Sequence, residues 1–130
     1  MIYVDTSVAL AHLLAEDRRP PTRLWNETLI ASRLIQYEIW TRVHRCNLAD
    51  SHGATATAIL GRIVMLELTP PVLARALAPF PLPLRTLDAL HVASIEHLRG
   101  QSQTVALATY DRRMTDAARA MGIPLFDLPA

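Results

Sequence analysis

Four acidic residues, Asp5, Glu38, Asp88 and Asp111, are far apart in the chain but sit in comparable settings. Asp5 ends the apolar run Ile2-Tyr3-Val4, and Asp111 lies just beyond Val105-Ala106-Leu107-Ala108. Glu38 falls among Ile35, Ile39 and Trp40, and Asp88 among Leu84, Leu87 and Leu90. Each alone has an ordinary reading. Asp88 would suit a positive helix N-terminus, Asp111 would serve as a helix cap, and Glu38 would be a solvated residue at the edge of a stripe. Brought together they would repel, each raising the pKa of the others, and hard divalent cations with oxygen ligands relieve that repulsion. Such ions polarise a phosphoryl oxygen, activate water and stabilise a leaving oxygen. A converged set therefore points to phosphodiester hydrolysis.

The elements that must position these acids follow from periodicity and punctuation. Ile2-Tyr3-Val4 reads as a buried strand, and Thr6 or Ser7 as the cap of a helix over Val8 to Leu14. Arg18-Arg19-Pro20-Pro21 breaks that helix, with a short restart near Thr22. Leu29-Ile30-Ala31 reads as a second strand. Ser32 opens a longer helix presenting Ile35, Ile39, Trp40 and Val43 at helical spacing and fraying near Asn47-Leu48. Asp50-Ser51 caps a helix from about Gly53 to Ile63, and Met65 to Leu68 is a third strand ended by Pro70-Pro71. Pro79, Pro81 and Pro83 mark a restricted loop, too short to separate folding units. A strong helix spans about Leu84 to Leu98 and closes at Gly100. Val105 to Ala108 reads as a central strand, Asp111 to Met121 as a helix ending at Gly122, and Pro124-Leu125-Phe126 as a last strand. Strands alternating with helices define an α/β sandwich with a mainly parallel sheet. Ligands in such folds bind beyond the carboxyl ends of the strands, the edge where Asp5 and Asp111 fall.

Composition limits the alternatives. The chain has 130 residues, 51% hydrophobic and 19% charged, which suits one globular domain spanning 1–130. No apolar run reaches the roughly 20 residues of a membrane span, and the N-terminus lacks a basic lead and cleavage pattern, so neither an anchor nor a signal peptide is expected. Cys46 is the single cysteine, which excludes an internal disulfide and fits a reducing, cytoplasmic setting. Net charge is +1, so bulk charge does not announce a nucleic-acid binder. None of the 13 basic residues is lysine. That excludes a Gly-x-x-x-x-Gly-Lys nucleotide loop and a lysine-dependent phosphoacceptor site. An Asp-x-Asp phosphatase opening is excluded too, because Ser7 holds the third position. Arginine remains well suited to bidentate phosphate contacts.

Four ordered segments, Tyr3-Val4-Asp5-Thr6-Ser7, Ser32 through Glu38, Thr86-Leu87-Asp88-Ala89-Leu90-His91 and Thr109-Tyr110-Asp111-Arg112-Arg113-Met114, resemble the PIN-domain nucleases, and within them bacterial VapC-type toxins. The resemblance spans nearly the whole chain. It implies a PIN-like three-layer sandwich and endoribonuclease activity. It implies a Mg²⁺ or Mn²⁺ site formed by Asp5, Glu38, Asp88 and Asp111, with Ser7 and Thr109 as supporting hydroxyls. RNA substrate, a homodimer and an antitoxin that blocks the site are implied as well. The rival readings are a PIN-like nucleic-acid-binding or scaffold module that does not cut, and a nuclease of RNA maturation without an antitoxin.

Several other residues have two readings each. Asp116 follows Asp111 by five positions and would face another side of an ideal helix, as a water-mediated metal ligand or a solvated acid. His91 follows Asp88 by three and would touch it on one helix face, in a structural role before a catalytic one. His12, His44, His52 and His97 show no zinc spacing. Arg112, Arg113, Arg42 and Arg45 would hold RNA phosphate, face solvent or meet an antitoxin acid. Trp25, Tyr37 and Tyr110 would stack on bases or pack, and packing is the better reading for Trp40.

Overall fold

The computed structural model describes residues 1–129. β1 (Ile2–Val4) is buried along its whole length, and β2 (Leu29–Ser32) beside it is equally buried. That is why both read as continuous apolar runs without alternation: helices cover both faces of a parallel sheet. β3 (Ile63–Leu66) and β4 (Ala106–Ala108) complete a four-stranded sheet of order β3-β2-β1-β4 in which every pairing is parallel.

The order shows how the chain winds. It moves outward from β1 through β2 to β3, then returns to lay β4 on the other side of β1. The crevice at the carboxyl ends of β1 and β4 is therefore the switch point where α/β sheets bind ligands. The register there pairs Val4 with Ala108, and the Asp5 N–H donates to the Ala108 carbonyl at 3.0 Å. Asp5 and Thr109 thus leave the sheet side by side.

Among the described residues, six α-helices flank the sheet: α1 (Thr6–Leu13), α2 (Leu34–Arg45), α3 (Ala49–Leu60), α4 (Pro70–Leu77), α5 (Thr86–Gly100) and α6 (Arg112–Ala120), with a short 3-10 turn at Thr22–Asn26. α1, α2 and α3 pack on one another, while α5 packs on α4, α6 and β2. The core they close includes Tyr3, Leu24, Ile35, Ile39, Ile95, Leu107 and Met114, all fully buried. Among the described residues, no helix is long and apolar enough to cross a membrane.

The structure corrects the sequence expectations at several points. Asp5, not Thr6 or Ser7, occupies the N-cap position of α1, and α1 begins at Thr6. Ser32 closes β2 instead of opening a helix, and its hydroxyl receives the Leu34 N–H at 3.2 Å. Helix α3 lies earlier than expected, and β3 starts at Ile63. Pro70-Pro71 opens α4, a helix absent from the sequence reading, because proline that cannot continue a strand is pre-organised for a first helical turn. Gly100 is the last residue of α5, and the left-handed turn falls instead at Ser102 (φ 63°). The 105–108 strand is not central: β4 is an edge strand, as is β3 on the other side, and β2 and β1 lie between them. Pro124 to Phe126 forms one isolated bridge, Leu107 to Leu125, instead of a strand. Pro124 has no N–H to give, so pairing stops at two bonds, Leu107 N–H to the Pro124 carbonyl and Phe126 N–H to that of Leu107, each 2.8 Å.

Candidate active site

Asp5 has the extended backbone of an N-cap, but its side chain makes no capping bond. Its Oδ2 instead accepts the hydroxyls of Ser7 at 2.6 Å and Thr109 at 2.8 Å. Those hydroxyls are fixed in turn by the loop after β4. The Tyr110 N–H donates to Ser7 Oγ at 3.0 Å, and the Asp111 N–H to Thr109 Oγ1 at 2.9 Å. Each hydroxyl accepts from backbone and donates to the carboxylate, so Asp5 Oδ2 is held in place. Among the described residues nothing donates to Asp5 Oδ1.

Asp111 is the N-cap of α6, and its Oδ1 accepts the Arg113 N–H at 2.9 Å. The capping reading of this residue is correct, yet capping uses one oxygen only. Asp88 lies in the first turn of α5 and is half-buried. Burial, reinforced by the charges of Asp111 and Asp5, pushes its carboxyl above the ordinary range, against the opposing pull of His91 and Arg113. Asp5, Asp88 and Asp111 therefore form one electrostatic neighbourhood. Asp116 stands exposed on α6.

Glu38 joins the group through a histidine. His91 Nε2 lies 2.5 Å from Glu38 Oε1, so Glu38 is not the solvated edge residue that its position allowed. Buried His91 bonds Glu38 on α2, where same-helix spacing had suggested Asp88. Desolvation opposes its protonation, but the Glu38 hydrogen bond and the charges of Glu38, Asp5 and Asp88 outweigh it and raise the imidazole above its ordinary value.

The donor set fits a hard divalent cation. Asp5 Oδ1, Asp111 Oδ2, Glu38 Oε2 and the Asp88 carboxylate are free of hydrogen-bond donors among the described residues. As the chain is folded, no three His, Cys, Asp or Glu side chains among the described residues converge closely enough to clasp one ion. Mg²⁺ is commonly held by one or two carboxylates, with water completing the shell.

The raised Asp88 carboxyl has a measurable consequence. A carboxyl raised in the folded state contributes stability that is complete below its unfolded pKa and is lost as pH rises through the folded value. In EDTA, the stability of the native chain relative to Asp88→Asn should therefore fall as pH rises above about 4. Thermal melts of both proteins between pH 4 and 8 check this. A gap that does not change with pH would remove the repulsion argument.

Two clefts open beside the acids. One, of about 330 Å³, is lined by Leu10, Tyr37, Glu38, Arg42, Arg45 and Leu87. The other, of about 340 Å³, is lined by Ser7, Glu16, Arg18, Arg42, Tyr110 and Asp111. Arg42 borders both. Arg18, which sequence reasoning missed, places its guanidinium 4.9 Å from the centre of the Tyr110 ring. Only its neighbouring Arg19-Pro20 breaker is visible locally, and nothing in the sequence pairs it with a residue 92 positions away. Arg112 and Arg113 are exposed at the start of α6. Tyr37 is exposed, Tyr110 is half-buried under Arg18, and Trp40 packs at the core edge near His44.

A parallel sheet with acids gathered at its switch point matches a known class: the chain belongs to the PIN-domain family, whose model matches residues 2–120. It is 31% identical to Ribonuclease VapC47 of Mycobacterium tuberculosis, over 94% of this chain and 93% of that protein. Ribonuclease VapC46 of the same organism is 29% identical over 94% and 93%. Ribonuclease VapC35 is 29% identical over 95% and 93%. No solved structure matches the chain significantly.

Proposed function

We propose that this chain is a Mg²⁺- or Mn²⁺-dependent endoribonuclease acting as the toxin of a toxin–antitoxin pair. One observation carries the reading: Asp5, Asp88 and Asp111 share a neighbourhood at the β1/β4 switch point, each with carboxylate oxygen to spare. The similarity to proteins named as VapC ribonucleases supports RNA as the substrate. Glu38 completes a four-acid set with Asp5, Asp88 and Asp111, and Asp116 contributes at most through water. When bound, the divalent ion supplies activated water and stabilises charge developing on the phosphate.

The chain's own residues do the remaining work. Ser7 and Thr109 hold Asp5 in one orientation, and Asp111 is fixed by its cap. Arg42, Arg112 and Arg113 meet phosphates along the strand, since guanidinium matches phosphate geometry. No side-chain nucleophile is needed. Residues 1–130 act as a single nuclease domain, which works in the cytoplasm as a homodimer and is silenced by a cognate antitoxin over the acidic cleft.

Thr109→Ala removes a hydroxyl that holds Asp5 while leaving every acid in place. Loss of such an outer-shell partner costs roughly 10–100-fold in metal affinity or activity. Mn²⁺ titration of this variant beside the native chain measures it; equal affinities would mean that the hydroxyl only packs.

The function itself is tested by incubating purified, antitoxin-free protein with total cellular RNA in Mg²⁺ or Mn²⁺ and mapping new ends by sequencing. Discrete cuts that vanish in EDTA and in Asp88→Asn are the expected outcome. Folded protein that binds Mn²⁺ but cuts nothing would favour the non-cutting scaffold module. Cuts confined to precursor ends of stable RNAs would favour a maturation nuclease.

A further inference from the structure

His91 lies between two residues that sequence distance hides from it. Tyr3 Oη is 2.7 Å from His91 Nδ1, and Glu38 Oε1 is 2.5 Å from His91 Nε2. Tyr3 is completely buried on β1, one of the two inner strands, and His91 is buried on α5. The Ser32 N–H donates to Tyr3 Oη at 3.0 Å, occupying a lone pair of the phenol oxygen. The phenol also has one proton of its own to donate. That hydroxyl faces His91 Nδ1, and which of the two donates follows the imidazole tautomer. At its other end the ring meets the Glu38 carboxylate, which only accepts, so the Nε2–H donates to Oε1.

We propose that His91 is a positioning residue for the metal site: the Ser32–Tyr3–His91 relay of hydrogen bonds fixes the imidazole, which orients Glu38 by one oxygen and leaves the other to face a divalent cation. This inference rests on the nuclease reading above. The arrangement parallels that at Asp5, where two hydroxyls hold Oδ2 and Oδ1 is left free. In both acids one oxygen is used to fix the side chain and the second remains for a ligand. A side chain on α2 thereby inherits its orientation from the β1–β2 backbone, which otherwise reaches Glu38 only through flexible torsions. Outer-shell partners of this kind orient ligands and raise their affinity for the ion.

The test has two readouts. Side-chain ¹⁵N spectra of histidine-labelled native protein report directly which imidazole nitrogen is protonated. A protonated Nε2 on His91 is expected, and a bare Nε2 overturns the relay without any variant being made. Mn²⁺ affinity, read by electron paramagnetic resonance, is then compared among native protein, His91→Leu, His91→Asn and His91→Gln. His91→Leu should weaken binding roughly 10–100-fold. His91→Gln, which can present an N–H near the Nε2 position, should recover much of that loss, and His91→Asn, too short to reach Glu38, should not. Equal Mn²⁺ affinity in a folded His91→Leu would overturn the inference while leaving the nuclease reading intact. Failure of the native chain to bind Mn²⁺ would instead overturn the reading on which it rests.

Discussion

Asp5→Asn should lose at least roughly 100-fold in RNA cleavage, the upper end of what outer-shell partners alone cost, because a proposed ligand itself is neutralised. That corresponds to about 2.7 kcal/mol of lost transition-state stabilisation. The same substitution should leave the fold intact. Asparagine keeps the shape of aspartate and still offers a carbonyl oxygen to the hydroxyls of Ser7 and Thr109, which hold this position through the β4–α6 loop. It also removes one of the charges that raise the Asp88 carboxyl, so repulsion in the metal-free protein falls. Melting in EDTA should therefore be unchanged or slightly higher. Cleavage assays paired with these melts separate the two effects; native-level cutting by the variant would dismiss Asp5 from the site.

A second large effect is expected in the core beneath Glu38. Ile39 is fully buried and belongs to the same hydrophobic cluster as Ile35, Val43 and Tyr3. Ile39→Ala removes three carbons from a close-packed environment and leaves a cavity, at a cost of roughly 2–5 kcal/mol. Against a typical total of about 5–15 kcal/mol this is a severe loss. Leu77→Ala provides the contrast, since Leu77 is 89% exposed and gives up almost no packing. Urea unfolding of the two variants should place Ile39→Ala well below the native midpoint and Leu77→Ala within about 0.5 kcal/mol of native stability. Similar midpoints would show that this core does not hold α2, and Glu38 with it, in place.

The sequence made the positions of the acids readable because their signals are local. A short aliphatic strand ending in aspartate, Val4-Asp5, announces a carboxyl end, and Asp111 beyond Ala108 announces another. Helix α2 presents Ile35, Ile39 and Val43 at helical spacing, and α5 runs between the proline-rich loop and Gly100, so Glu38 and Asp88 could be set on them before any coordinates. Long-range placement was not readable. Nothing in the strand over residues 106–108 distinguishes an inner strand from an outer one, since a loop bridge at Leu125 protects the outer edge and keeps Leu107 buried. The Pro70-Pro71 pair gives the same local signal whether it ends a strand or opens a helix, and α4 was missed for that reason.

His91 shows the same limit at the site. Its partners, Tyr3 and Glu38, lie 88 and 53 residues away, whereas helical spacing offered only Asp88. One clue was present: a tyrosine inside a three-residue buried strand must find a partner for its hydroxyl, and the strand itself provides none. Ser7 and Thr109 were recoverable only through the family resemblance. Their hydroxyls matter because the register of β1 against β4 sets residues 102 apart beside one another.

The central claim is that the acids at the β1/β4 switch point bind the divalent ion that cleavage requires. A crystal of the native chain soaked in Mn²⁺ and measured at an anomalous-scattering wavelength tests it most directly. The account predicts an anomalous peak within ligand distance of one or two of Asp5, Glu38, Asp88 and Asp111, and no such peak in Asp88→Asn. Peaks confined to other surfaces, in protein that still cuts RNA, would contradict it.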